Sequence, residues 1–183
     1  MTLTENLISE HKDIIELLGI MNKIADNIES KNVFYTSDIE DIIEFLDFFI
    51  DKSHHSKEEI FYQELSLQEK ARENVPVSVM LYEHVLTRKY MNDIKSCIEN
   101  CKVGNNFSVE LLAESLINYI RLINNHISKE ENIIFPLANK VLSDEKQNEL
   151  YQKFKEVDAE IEVHGFQEHY QKLLKKLKSN YPD

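Results

Sequence analysis

Four stretches of this chain repeat apolar residues at helical spacing over twenty or more positions, and each stripe is broken by ionisable side chains. A period of 3.6 residues belongs to a helix that buries one face, and a strand cannot present it. Three glycines and three prolines in 183 residues also leave few of the turns that a sheet needs. The reading is all-α. Residues 1–142 are expected to form an up-down-up-down four-helix bundle, with 143–183 as a C-terminal helical extension packed on it.

The first helix is expected over residues 4–28, with Leu3, Leu7, His11, Ile14, Leu18, Met21, Ala25 and Ile28 on its stripe. Ser37 starts the second, with Glu40 completing a capping box, and its stripe includes Ile50, His54, Glu58, Phe61 and Leu65. Pro76 suits the first turn of the third, whose stripe carries Met80, His84, Thr87, Met91 and Ile94. A loop containing Gly104 follows. Ser108 then caps the fourth helix, which carries Leu116, Tyr119, Ile123, His126, Glu130 and Ile133, and Pro136 bends or ends it. The extension reads as helices 144–162 and 166–179 joined at Gly165.

The formal net charge of −12 repels nucleic acid and anionic membrane surfaces. The densest basic stretch, Lys172, Lys175, Lys176 and Lys178, has the spacing of a solvated helix face. No apolar run approaches the ~20 residues of a membrane span, and the N-terminus has no secretory pattern. Cys97 and Cys101, four residues apart on one helix, read as two reduced thiols. Cytoplasmic residence is the expectation.

His11, His54, Glu58, His84, His126 and Glu130 stand where the stripes demand apolar side chains. Burying such groups costs several kcal/mol unless a partner offsets their desolvation, and imidazole with carboxylate suits a metal ion. In a bundle of this topology the four histidines fall at one level, roughly 10–15 Å from one end at 1.5 Å per residue. The chain also repeats itself. His11 and His54 are 43 residues apart, His84 and His126 are 42, and Glu10-His11 matches Glu83-His84. His54-His55-Ser56-Lys57-Glu58-Glu59 matches His126-Ile127-Ser128-Lys129-Glu130-Glu131. Two helix pairs would each supply two histidines and one glutamate, the composition of a two-metal site with two carboxylates free to bridge.

This H…HxxxE…H…HxxxE pattern resembles the hemerythrin-like, HHE-type cation-binding proteins over about residues 4–142. The resemblance implies a non-haem centre of two iron ions with an oxo or hydroxo bridge. His11, His54, His84 and His126 would be terminal ligands, and Glu58 and Glu130 the bridging carboxylates. Oxygen-carrying hemerythrins have a further histidine four residues after the third-helix one, and here Arg88 stands there. Their last motif is HxxxxD, where this chain has Glu130 and Glu131. The four-histidine, two-glutamate set is similar to that of the iron-centre repair proteins of the same superfamily.

Among the neighbours, His55 is expected on the surface, and Glu59 and Glu131 in solvent or supporting the ligands. His164 and His169 read as surface histidines, with His164 the candidate for a fifth ligand. Phe45, Phe48, Phe49, Phe61, Tyr62 and Phe135 read as core, some of them walling the site, and Tyr119 as a nearby donor. No Glu-x-x-His, HExxH, GxSxG, cysteine-zinc or glycine-rich phosphate motif occurs. The functional expectation is O2 binding, or binding of a related diatomic such as NO, for oxygen handling or sensing. The alternative is a di-iron enzyme that reduces O2, peroxide or NO or repairs iron centres.

Overall fold

The computed structural model describes residues 2–72, 77–104, 107–162 and 165–182, and every regular element among them is helical. The elements are α1 (Leu3–Lys31), α2 (Thr36–Phe45), a π-helical segment (Leu46–His55), α3 (Ser56–Leu67), α4 (Glu69–Arg72) and α5 (Val77–Lys102). They continue with α6 (Phe107–Lys129), a second π segment (Glu130–Ile134), α7 (Phe135–Val141), α8 (Asp144–Glu162) and α9 (Phe166–Asn180). Pro76 and His164 lie outside the described residues.

Local chemistry sets most of the ends. Thr2 caps α1 through a reciprocal pair: its hydroxyl accepts from Glu5 N–H at 3.3 Å, and its own N–H donates to Glu5 Oε2 at 2.7 Å. Asn32, left-handed at φ 52°, closes that helix. The expected Ser37–Glu40 box does not form. Helix α2 starts at Thr36 behind Tyr35, which makes no side-chain cap bond, so Ser37 already lies inside the first turn. Likewise α6 begins at Phe107, ahead of Ser108. Pro136 neither ends the fourth rod nor breaks it. The wider turns of the second π segment absorb its missing N–H and ring, and helix resumes to Val141.

Cross-contacts give the directions of the long rods. Thr4 meets Asn139 while His11 meets Glu131, so α1 runs antiparallel to α6–α7. His84 meets His126 while Cys97 meets Ser115, so α5 runs antiparallel to α6. Lys102 meets Glu40 while Arg88 meets Asp51, so α5 also runs antiparallel to the α2–α3 rod.

The apolar residues form two separate cores. One gathers Ile14 to Ile28, Ile39 to Ile50, Met91 to Ile98 and Leu112 to Ile127, and α9 adds Tyr170, Leu173, Leu174 and Leu177. The other gathers Leu3, Leu7, Phe61, Leu65, Met80, Ile134 and Phe135, and α8 adds Leu150 and Phe154. Every long rod therefore changes core at one height. The residues at the change are His11 on α1, His54 to Glu58 on the second rod, His84 on α5 and Glu130 on the fourth. A polar layer lies between two greasy ones.

Candidate metal centre

The six side chains that break the stripes meet in that layer, all of them at most 2 % exposed. His11, His54, Glu58 and Glu130 each offer a ligand atom within 4.8 Å of the others, and so do His55, Glu58, His84 and His126. Glu58 belongs to both groups. Its Oε1 lies 2.8 Å from His54 Nε2 and 3.8 Å from His11 Nε2, and its Oε2 lies 3.2 Å from His84 Nε2 and 3.6 Å from His126 Nε2. Glu130 is similarly divided, Oε2 lying 3.2 Å from His11 Nε2 and Oε1 lying 3.6 Å from His126 Nε2. Each carboxylate thus turns one oxygen to each side.

His84 Nε2 and His126 Nε2 lie 3.3 Å apart as a pair, but four of the other atoms converge without satisfying one another. His11 Nε2, both oxygens of Glu58 and Glu130 Oε2 are buried and have no hydrogen-bond partner. Orphaned lone pairs of this kind are costly in an interior, and shared coordination of cations satisfies them together. The residues present fit a metal centre.

Behind each imidazole stands a carboxylate. Nδ1–H of His11 donates to Glu131 at 2.8 Å, that of His54 to Glu10 at 2.8 Å, that of His84 to Glu59 at 3.2 Å and that of His126 to Glu83 at 3.0 Å. Such a bond fixes the tautomer and leaves the inner Nε2 with its lone pair free, the support that metal-binding histidines use. The carboxylates are anchored in turn. Lys57 holds Glu10 and, at 2.8 Å, Asp158 of α8, while Lys129 holds Glu83. Arg88 donates through Nη2 to Glu59 at 2.8 Å and through Nε to Asp51 at 2.7 Å.

Electrostatics follow from this crowding. Burial pushes Glu58 up, but the imidazoles of His54, His11 and His126 outweigh it and hold the carboxyl well below its ordinary range. Burial and the adjacent Glu58 charge push Glu130 the other way. Burial pulls His11 and His126 down, yet Glu130 and Glu58 lift both to about 10, so that without a cation a proton occupies the inner nitrogen that a metal would take. The acids call for positive charge in the layer. Tyr62 donates its hydroxyl to Glu130 Oε1, and burial with the Glu130 charge keeps that phenol protonated.

The expectation for His55 is overturned. It is 1 % exposed, and its ring stacks on His84 with centroids 4.0 Å apart and planes 14° from parallel. In an α-helix adjacent residues diverge by about 100°, which is why a neighbour of buried His54 is expected outside. The π segment ending at His55 turns less per residue, so both imidazoles enter the interior. Glu59 and Glu131 support ligands, as one of the two expected roles has it. His169 is exposed and meets Glu44 at 3.0 Å. Phe135 stacks on His11 at 5.8 Å and touches Phe61, a wall beside the layer, whereas Phe45 lies in the other core. Tyr119 also packs in that other core, and the phenol at the site is Tyr62, four residues beyond Glu58 on the same face.

Glu10, Glu83, Lys57 and Lys129 were not singled out from the sequence as functional, although the repeat pairs them one to one. Asp51 has no counterpart in the repeat, where Ile123 stands, and its one signal is the four-residue spacing before His55.

The Hemerythrin HHE cation binding domain model matches residues 2–138. No curated protein and no solved structure gives a significant match. With that match covering most of the chain, and a histidine–glutamate cluster able to hold metal beneath it, the chain belongs to the hemerythrin HHE cation-binding family.

Proposed function

We propose that the four long rods form an up-down-up-down bundle holding two non-haem iron ions, and that the protein binds O2 or a related diatomic such as NO, for oxygen handling or sensing. His11 and His54 would hold one ion, His84 and His126 the other, and Glu58 and Glu130 would bridge them. The observation that carries this reading is the pair of buried carboxylates, each with one oxygen turned toward each imidazole pair and unsatisfied lone pairs between them. When bound there, two ferrous ions would supply the electrons that a diatomic ligand takes up, one from each.

The chain's own residues supply the rest. Glu10, Glu59, Glu83 and Glu131 orient the imidazoles through Nδ1–H, and Phe61 and Phe135 keep water from the His11 side. Both cysteines are free thiols, in keeping with a cytoplasmic protein. No helix among the described residues is long and apolar enough to cross a membrane.

Anaerobically purified protein is expected to contain two irons per chain. Admitting O2 then produces a visible charge-transfer band that vanishes when O2 is withdrawn. Irreversible oxidation without such a band removes the carrier reading.

Tyr62 favours a second reading, a di-iron enzyme. Its hydroxyl donates to Glu130 inside the layer and is positioned to hand a proton to a substrate there. Steady consumption of O2, peroxide or NO that slows in Tyr62→Phe supports it, and absence of turnover with any electron donor ends it.

A further inference from the structure

We infer that His55 is a fifth imidazole ligand, so that one metal position has three histidines, His55, His84 and His126, and the other has two. This inference rests on the two-ion reading above. His55 offers a ligand atom within 4.8 Å of those of Glu58, His84 and His126. Its ring lies parallel to His84 and 5.9 Å from His126, so the three imidazoles line one side of Glu58.

A carboxylate stands behind His55 as behind the other four, though without closing a hydrogen bond to it. Asp51 faces its Nδ1 at 3.5 Å from one turn earlier, the longest of five such pairings, and a closer approach of the two would fix Nδ1–H and present Nε2 to the ion. The Arg88 guanidinium fixes that aspartate at 2.7 Å and, with its other arm, the Glu59 behind His84 at 2.8 Å. One cation therefore steadies the carboxylates behind two adjacent imidazoles. Planar, two-armed anchoring of this kind is particular to arginine.

A purely structural role explains little of this. The matching position in the second half of the repeat is Ile127, a side chain 5 % exposed that fills its place with no polar atom to satisfy. A buried imidazole there carries a desolvation penalty that isoleucine avoids. His55 Nδ1 has no hydrogen bond within the protein, so the fold gains little from the imidazole's polar atoms unless a ligand takes one of them.

Cobalt(II) tests this directly, because its paramagnetism shifts the N–H protons of coordinated imidazoles far outside the ordinary proton spectrum. Wild-type protein titrated with cobalt(II) alone is expected to bind two ions and show five shifted, exchangeable imidazole N–H signals. His55→Gln is expected to show four, and to bind its second ion roughly 10- to 100-fold more weakly. Asp51→Asn keeps five signals but moves one. Two ions with only four signals in the wild type overturn the assignment of His55 and leave the two-ion reading intact. A His55→Gln protein that holds both ions as tightly as the wild type does the same. Uptake of fewer than two ions by the wild type overturns both. Should His55→Gln not fold, the wild-type signal count still decides.

Discussion

In the half of the molecule built from α1 to α3, Lys57 is completely buried between carboxylates, whereas its counterpart Lys129, in the half built from α5 to α7, keeps 35 % of its side-chain surface in water. The two lysines do the same work, each anchoring the glutamate that orients a histidine. The crossed pairs His11–Glu131 and His84–Glu59 complete the correspondence. The halves part at His55 against Ile127 and at the burial of the lysine. Repetition makes two similar groups of ligand atoms, and the departures from it make them unequal. On the two-ion reading proposed above, a chain of this kind would keep a symmetric frame while giving its two ions different surroundings.

The sharpest way to break the correspondence is to remove one bridge at a time. Glu58 belongs to both groups of ligand atoms and Glu130 to one. Glu58→Ala is expected to lose both ions, and Glu130→Ala to keep one, as counted by metal per chain. Stripping metal from the wild type with a chelator should lower Tm, since an ion at a thousand times its Kd stabilises the fold by about 4 kcal/mol. In Glu58→Ala the same treatment should leave Tm where it was.

Next in size is the lysine pair. Lys57→Met strands Glu10, only 16 % exposed, and should cost about 3 kcal/mol in denaturant unfolding. Lys129→Met also leaves a buried carboxylate, Glu83 at 10 % exposed, but the ammonium it removes is 35 % exposed and water can enter in its place, so it should cost less, about 1–2 kcal/mol. Equal losses would mean that burial does not set the difference between the halves.

The smallest effect separates the two connections. Gly104 sits at φ 87° with open space around any added Cβ, so Gly104→Ala should cost about 1 kcal/mol, from backbone strain alone. At the other connection Asn32 already tolerates φ 52°, and Asn32→Gly should change stability by only a few tenths of a kcal/mol. Thermal denaturation of the two single variants checks both.

How much of this was legible in the sequence depended on whether a residue obeyed the α-helical period. His11, His54, His84, His126, Glu58 and Glu130 stand out because each puts a polar group on an apolar stripe, and the structure brings all six into one layer. The long helices and the Gly104 loop were legible for the same reason. His55 was hidden because one step along an α-helix points away, and only the wider turn of the π segment brings it inside. Pro136 was visible as a helix breaker, but the compensating π turn beside it was not. Glu10, Glu83, Lys57 and Lys129 show in the sequence only as matched members of the repeat, because their partners lie on other helices, which period alone cannot register. Ser37 failed as a cap because a start one residue earlier leaves its hydroxyl inside the turn.

Asp158 lies twenty residues past the end of the family match, and its carboxylate still reaches the ammonium group of Lys57. A fragment trimmed to the matched segment would open that ammonium to water with a single counter-charge and would slacken the grip on Glu10, and through it on His54. It would also strip Leu150 and Phe154 from the apolar floor. Experiments on metal uptake should therefore use all 183 residues, because α8 reaches through Lys57 and Glu10 to His54.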